Sequence, residues 1–169
     1  MSSQTLIACM TAVTLLATGC AKKDAATPAS APAQTAATPD AGPRVIELTA
    51  NDTMKYDVTR IEAKPGETLR VVLHNAGSLP KAAMGHNFVL LKPDTKPEEF
   101  AAAGGAAGAP KDFFPADKAD ETIAHTKLVG PKEKAEVTFK APTTPGEYTY
   151  ICTFPGHLVA GMRGVLVVK

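Results

Sequence analysis

The sequence predicts an all-β domain over residues 44–169, folded as a β-sandwich or barrel, and three observations support that class. Short runs rich in β-branched and aromatic residues recur along this part of the chain. Proline–glycine pairs, which favour turns, separate several of the runs. The run Glu136–Lys140 alternates strictly between polar and apolar residues, as a strand with one buried face does.

Eight runs are predicted as strands, most of them joined by short turns. In chain order they cover residues 45–49, 55–61, 69–73, 87–91, 122–129, 136–140, 148–152 and 165–168. In the seventh run, Tyr148, Tyr150 and Cys152 alternate along the strand and therefore share one face. The thiol of Cys152 is thus expected to point the same way as two aromatic rings of the core.

The segment from Pro97 to Asp117 is predicted to lie outside the sandwich as a short helix and a flap. Pro97-Glu98-Glu99 suits a helix start, because proline is tolerated in the first turn and acidic residues are favoured by the helix dipole. Three alanines can continue the helix, and Gly104-Gly105 is predicted to end it.

Charge and cysteine content exclude several classes of protein. The 169 residues carry 18 Lys+Arg and 17 Asp+Glu, a net charge of +1, so nothing indicates binding to nucleic acid, which needs a clustered basic excess. The three cysteines are Cys9, Cys20 and Cys152. An odd, low count excludes a disulfide-rich scaffold and a four-cysteine zinc site.

The N-terminus resembles an export signal. Residues 6–17 are mostly apolar but shorter than the about 20 residues that span a membrane. Leu16-Ala17-Thr18-Gly19-Cys20 resembles a bacterial lipobox, in which cleavage leaves a lipidated cysteine, although residues 1–5 lack Lys and Arg. We therefore predict a signal peptide over residues 1–19 and a membrane anchor on Cys20; an ordinary signal with an incidental cysteine is the alternative.

Residues 20–43 are predicted to form a flexible linker between the lipid and the domain. From Ala21 to Pro43 the chain holds nine Ala and four Pro, but no Val, Ile, Leu, Phe or Tyr. Such a segment cannot bury enough apolar surface to offset the entropy of ordering it. The prolines disfavour the alternative of an alanine-rich helix.

A cysteine, a histidine and a methionine fall in one short segment between the last two predicted strands: Cys152, His157 and Met162. A second histidine, His86, lies upstream in Gly85-His86-Asn87. One thiolate, two imidazoles and a weak thioether are the ligand set of a blue-copper electron-transfer site. Taken singly, each residue also has an ordinary structural explanation, as a buried thiol, a core methionine or a loop histidine.

Longer segments resemble the cupredoxins, specifically the azurin and auracyanin families. Residues 79–90 and 123–130 resemble azurin, whereas residues 148–166 are more similar to auracyanin because their spacing is Cys-x4-His-x4-Met. The resemblance covers residues 44–169 and implies an eight-stranded Greek-key β-sandwich with one copper ion at one end. It also implies that His86, Cys152 and His157 are equatorial copper ligands, with Met162 axial and the Gly85 carbonyl on the opposite axial side.

The resemblance further implies roles for residues around the ligands. Asn87 is expected to bond near Thr153, and the backbone N–H groups of Asn87 and Phe154 are expected to point at the thiolate. An apolar patch around an exposed edge of His157 is expected to dock redox partners, and its members are Leu79, Met84, Phe154, Pro155, His157, Leu158 and Val159.

Other positions depart from azurin. Gly66 stands where azurin has one cysteine of its disulfide, Asn75 replaces a buried histidine, and Phe88 replaces a tryptophan. His74 and His125 lie outside the ligand motifs and are predicted to be strand-end or surface side chains.

The sequence thus predicts an exported one-electron carrier rather than an enzyme. It would sit in the periplasm or at the cell surface, cycle between Cu(II) and Cu(I), and exchange electrons with proteins such as cytochromes, with no small-molecule substrate. A copper-handling protein is favoured by clusters of Met and His, but five Met and four His are spread along this chain. A copper enzyme needs further histidine sites, for which His74 and His125 alone remain.

Overall fold

A computed structural model describes residues 42–169. The predicted signal peptide, Cys20 and nearly all of the predicted linker lie outside the described residues. Within them the all-β prediction is confirmed, since the chain forms eight strands: β1 (Arg44–Ala50), β2 (Arg60–Ala63), β3 (Thr68–Asn75), β4 (Val89–Leu91), β5 (Thr122–His125), β6 (Lys134–Lys140), β7 (Gly146–Ile151) and β8 (Arg163–Val168). Two helices, α1 (Lys81–Met84) and α2 (Pro97–Ala107), and two 3₁₀ turns (Ala109–Lys111 and Ala116–Glu121) complete the described part.

The strands form two mixed sheets that enclose the core. One sheet has the order β1-β3-β6 and the other has the order β2-β8-β7-β4-β5. β1 runs parallel to β3 and β2 parallel to β8, while the remaining pairs are antiparallel. This arrangement is a sandwich rather than a barrel and is consistent with the expected Greek key.

Alternating burial shows which face of each strand packs inward. In β3, Leu69, Val71 and Leu73 are fully buried and the residues between them are half-buried. In β7, Tyr148 and Tyr150 are buried in the same core cluster as Cys152, so the predicted shared face is confirmed. Burying each Leu or Val contributes about 1.5–3 kcal/mol, which makes the interior the main source of stability.

The second predicted strand, residues 55–61, is mostly wrong. Met54 has φ 56°, and its N–H bonds to the Asn51 carbonyl at 3.0 Å, so a turn immediately precedes the predicted strand. Tyr56 forms only an isolated bridge with Ala50, and β2 begins at Arg60. The run of strand-favouring residues suggests a strand, but only its end, from Arg60 onward, pairs with the sheet.

Helix α2 extends beyond the predicted stop at Gly104-Gly105. It ends instead at Gly108, which has φ 77° and donates its N–H to the Gly104 carbonyl at 3.3 Å. Gly104 is buried, and a Cβ there would lie 2.5 Å from the Phe113 carbonyl oxygen. The glycine therefore permits close packing of the helix rather than ending it.

The two ends of the sandwich are distinct. Ala50 pairs with Asn75 and Ile151 with Arg163 at one end, which we call the site pole. Arg44 lies at the other end, the far pole, where its guanidinium bonds to Glu67 and to the Glu62 carbonyl. Because a strand rises about 3.3 Å per residue, the seven residues of β1 separate the poles by about 20 Å. Within residues 42–169, no helix has the length and apolar character needed to cross a membrane.

Candidate metal centre

Three buried side chains converge at the site pole. One ligand atom from each of His86, Cys152 and His157 lies within 4.8 Å of the other two. The Cys152 sulfur is 3.4 Å from His157 Nδ1, and all three residues are at most 1% exposed. Cys152 follows β7 directly and His86 lies just before β4, which is paired with β7, so adjacent strands bring the distant residues together.

The cluster fits a metal ion. Both ring nitrogens of His86 are buried and have no hydrogen-bond partner among residues 42–169. Buried polar atoms in proteins are nearly always paired, and a neutral imidazole has one lone pair, so an unpaired His86 nitrogen beside a thiol and a second imidazole marks a place for a cation. Met162 is fully buried in the same core cluster as Cys152 and offers a thioether.

The cluster's ionisation also suits a metal. Burial lowers the pKa of His157 to about 4, with a further contribution from His86, and burial lowers the pKa of His86 as well. Both rings are therefore neutral at pH 7 and can offer a lone pair. Burial raises the pKa of the Cys152 thiol to about 12, against the effect of backbone N–H groups of Asn87 and Phe154. A metal cation beside the sulfur would stabilise the thiolate.

The side chain of Asn87 links the two ligand loops. Its Nδ2 donates to Thr153 Oγ1 at 2.7 Å, and its Oδ1 accepts the Thr153 N–H at 2.9 Å. Nδ2 also donates to the Asp112 carbonyl at 3.1 Å, and Thr153 Oγ1 donates to the Phe113 carbonyl at 2.7 Å. These bonds join the loops that carry His86 and Cys152 to the segment after α2.

Gly85 and Asn75 hold the loop of the first histidine. A Cβ at Gly85 would lie 2.7 Å from Leu128 Cδ2, so only glycine fits this close approach. The next residue, His86, exchanges two backbone hydrogen bonds with Val129, at 3.0 and 2.8 Å. Asn75, which replaces a histidine of azurin, donates to the Val129 carbonyl at 3.2 Å and so supports the same pairing.

Several residues of the apolar patch expected around His157 are exposed, but the predicted exposed edge of that ring is wrong. Val159 is 92% exposed and Leu79 43% exposed, and Pro155 is also exposed. His157 is only 1% exposed, because the ring of Phe154 lies 4.5 Å from it, centroid to centroid, in the loop above. The imidazole is therefore buried against Phe154 rather than exposed at the surface.

The patch continues into a groove beside helix α2. Met84 and Phe154 are half-buried at the site pole, and Leu158 is buried. The groove has a volume of about 300 Å³. It is lined by Ala101 and Ala102 of the helix and by residues of the ligand loop, including Phe154, Pro155, Leu158 and Val159.

The remaining histidines lie outside the cluster. His74 Nε2 is 2.5 Å from Glu47 Oε2 on the neighbouring strand. His125 is exposed at the end of β5, with its ring 3.8 Å from that of Phe114, centroid to centroid. Both positions agree with the expected strand-end or surface roles.

Sequence reasoning missed several contacts at the site pole. Tyr56 is buried, and its hydroxyl donates to the Asn87 carbonyl at 2.5 Å. Asp52 accepts the backbone N–H and the hydroxyl of Ser78, at 2.8 and 2.9 Å. Tyr56 lies in the predicted strand 55–61, and Asp52 lies between that run and the first predicted strand. No local pattern marks them, because their partners lie 26 and 31 residues away.

Together the fold and the cluster define a class of protein. A β-sandwich that buries one thiol, two neutral imidazoles and a thioether at one pole is the architecture of the type 1, or blue, copper proteins.

Comparisons with known proteins agree with that class. The family described as copper binding proteins, plastocyanin/azurin family, matches residues 44–169. Azurin from Pseudomonas chlororaphis is 41% identical over 128 residues, which covers 73% of this chain and 97% of the relative. Auracyanin A, a "blue" copper protein from Chloroflexus aurantiacus, has a similar structure, with a TM-score of 0.67, 36% identity, and coverage of 76% of this chain and 100% of that one.

A further relative differs in its description. Outer membrane protein H.8 from Neisseria meningitidis is 37% identical over 119 residues, covering 69% of this chain and 63% of the relative.

The chain belongs to the plastocyanin/azurin family of copper-binding proteins, and it binds one copper ion.

Proposed function

We propose that the protein is a one-electron carrier of the periplasm or cell surface. The convergence of His86, Cys152 and His157 within 4.8 Å is the observation that carries the proposal. In the proposed site these three residues would hold the copper ion, with the thioether of Met162 and the carbonyl of Gly85 as further ligands. Bound copper supplies a reversible Cu(II)/Cu(I) couple.

Residues of the chain hold the ligands in position and exclude bulk water from them. The bonds of Asn87 hold the two ligand loops at one separation, so the loops need not rearrange when the charge at the site changes. Burial of all the ligands excludes bulk water and favours exchange with another protein over reaction with a substrate in solution. The partners are redox proteins such as cytochromes.

The apolar patch above His157 is the proposed docking surface. Its exposed members Leu79 and Val159 are uncharged, and a small, weakly charged surface suits brief encounters. Val159→Asp places a charge in the patch, because this side chain is 92% exposed. We expect electron self-exchange between reduced and oxidised protein, measured by NMR line broadening, to slow on the order of tenfold as two charged patches repel.

Val45→Asp is the matched control. Val45 is 42% exposed and lies in β1 near the far pole, opposite Arg70. The control variant should retain the wild-type exchange rate. Equal rates in the wild type and Val159→Asp would place docking elsewhere.

A lipid on Cys20 is the proposed membrane anchor, with residues 20–43 as its tether. The domain starts at Arg44 at the far pole, so the tether would join the domain at the pole opposite the copper site. A flexible chain of that length has an end-to-end distance of roughly 25–30 Å. The relative named as an outer membrane protein supports attachment to a membrane.

Cell fractionation tests the anchor. Wild-type protein should sediment with membranes, and the Cys20→Ala variant should be lost from the membrane fraction. Wild-type protein found wholly in the soluble periplasm would rule out the anchor while leaving the copper site untouched.

A further inference from the structure

Lys55, at the start of the mispredicted strand 55–61, contacts the loop that carries His157 and Met162. Its Nζ donates a hydrogen bond to the carbonyl oxygen of Ala160, 105 residues further along the chain. Ala160 lies between His157 and Met162 in the loop that carries both. The contact therefore joins a residue outside the ligand motifs to the backbone between two ligands.

The neighbours of Lys55 hold its backbone in place. On one side, Met54 forms a turn with φ 56° and bonds to Asn51. On the other side, Tyr56 is 4% exposed and is fixed by its hydrogen bond to the Asn87 carbonyl at 2.5 Å. Because the backbone is anchored on both sides, less conformational entropy is lost when the lysine side chain reaches across to the loop.

Hydrogen bonds within the loop that carries His157 and Met162 couple a displacement of Ala160 to the position of Met162. The Met162 N–H bonds to the His157 carbonyl at 2.9 Å, and the Cys152 N–H bonds to the Met162 carbonyl at 3.2 Å. Gly161, between Ala160 and Met162, has φ 89°, and a Cβ there would lie 2.7 Å from Lys55 Nζ. The ammonium thus lies against the turn that sets where Met162 enters the site.

We propose that Lys55 is a positioning residue for the axial thioether of Met162 and acts through the Ala160 carbonyl. This inference rests on the proposed copper site. The ammonium has a second effect, because a positive charge beside the site favours the less positive Cu(I) and so raises the reduction potential.

Four variants of the full-length chain, loaded with Cu(II), separate the two effects. Lys55→Met removes the donor and the charge, Lys55→Gln keeps a donor without the charge, and Lys55→Arg keeps both. Lys140→Met removes an exposed lysine at the far pole, where Lys140 pairs with Thr68, and serves as the control. Visible and EPR spectra report the ligand geometry, and voltammetry gives the potential.

We expect Lys55→Met to change the intensity ratio of the thiolate-to-copper bands and to lower the potential. Lys55→Arg should restore both properties, Lys55→Gln should restore the band ratio alone, and Lys140→Met should change neither. A wild-type band ratio in Lys55→Met overturns the positioning role even if the potential shifts, because a charge that does not position the loop would produce that result. Absence of the bands in the wild type would instead contradict the proposed function itself.

Discussion

The imidazoles of the site are held neutral by their surroundings. His157 and His86 are both buried, with ring centroids 4.9 Å apart, so a proton on either ring would be poorly solvated and close to the other. In that arrangement each ring can offer a lone pair to a metal, but the stability of the metal-free protein becomes sensitive to acid.

The stability of the metal-free protein should fall as the pH is lowered from 7.5 to 5. The pKa of His157 is about 4 in the folded chain, against about 6.5 for an unperturbed histidine, so the unfolded chain takes up a proton that the folded chain does not. The loss begins near pH 6.5 and continues to about pH 4. Denaturant midpoints at several pH values measure it.

His157→Ala provides the comparison. In this variant the midpoint should depend less on pH, with the remaining dependence due partly to His86. Staying above pH 5 avoids the range in which acidic side chains titrate. An unchanged pH dependence in His157→Ala would show that the ring is not held neutral by burial.

The ligands and the Asn87–Thr153 link could be predicted from the sequence, whereas the contacts of Tyr56 and Lys55 could not. Cys152, His157 and Met162 lie within one segment, and their residue types already specify copper chemistry. Tyr56 and Lys55 act through single contacts with remote loops, and neither residue type indicates its partner. The exposure of His157 was misjudged because the cover provided by Phe154 depends on the fold of the loop.

At the scale of elements, the two adjacent glycines of α2 have opposite surroundings. A Cβ at Gly104 would meet the Phe113 carbonyl oxygen at 2.5 Å and the Thr153 Cβ at 3.0 Å. A Cβ at Gly105 would have its nearest neighbour at Pro155, 3.8 Å away. Glycine is therefore required at position 104 and only tolerated at position 105.

Gly104→Ala should destabilise the protein by about 1–3 kcal/mol, because overpacking forces α2 away from the segment that supports Thr153. Gly105→Ala should stabilise it by about 0.5–1 kcal/mol through its better helix propensity. Denaturant unfolding of the metal-free protein measures both. If both variants were equally stabilised, α2 would not be packed against the site.

The same helix shows why sequence reasoning placed element ends less well than the elements themselves. Gly-Gly usually signals a helix end, and only the packing of Gly104 against Phe113 reveals another purpose. Residues 55–61 are rich in strand-favouring residues, yet only those from Arg60 onward pair with the sheet, after the turn at Met54. In both cases tertiary contacts, rather than the local sequence, determine where the element begins or ends.

Across the whole molecule, the order of the strands explains how the site forms. The periodicity of the runs predicts many short strands, but it cannot reveal that β1 runs parallel to β3 or that β4 lies between β5 and β7. Those pairings join residues far apart in sequence. They bring His86 to Cys152 at one pole and leave the start of the domain at the other.

The most direct test of the account is a titration of the metal-free, full-length protein with Cu(II). One equivalent should produce an intense visible thiolate-to-copper band and a narrow copper hyperfine splitting, and Cys152→Ser should abolish the band. A colourless complex in the wild type, or a blue one in Cys152→Ser, would contradict the proposed blue-copper electron carrier.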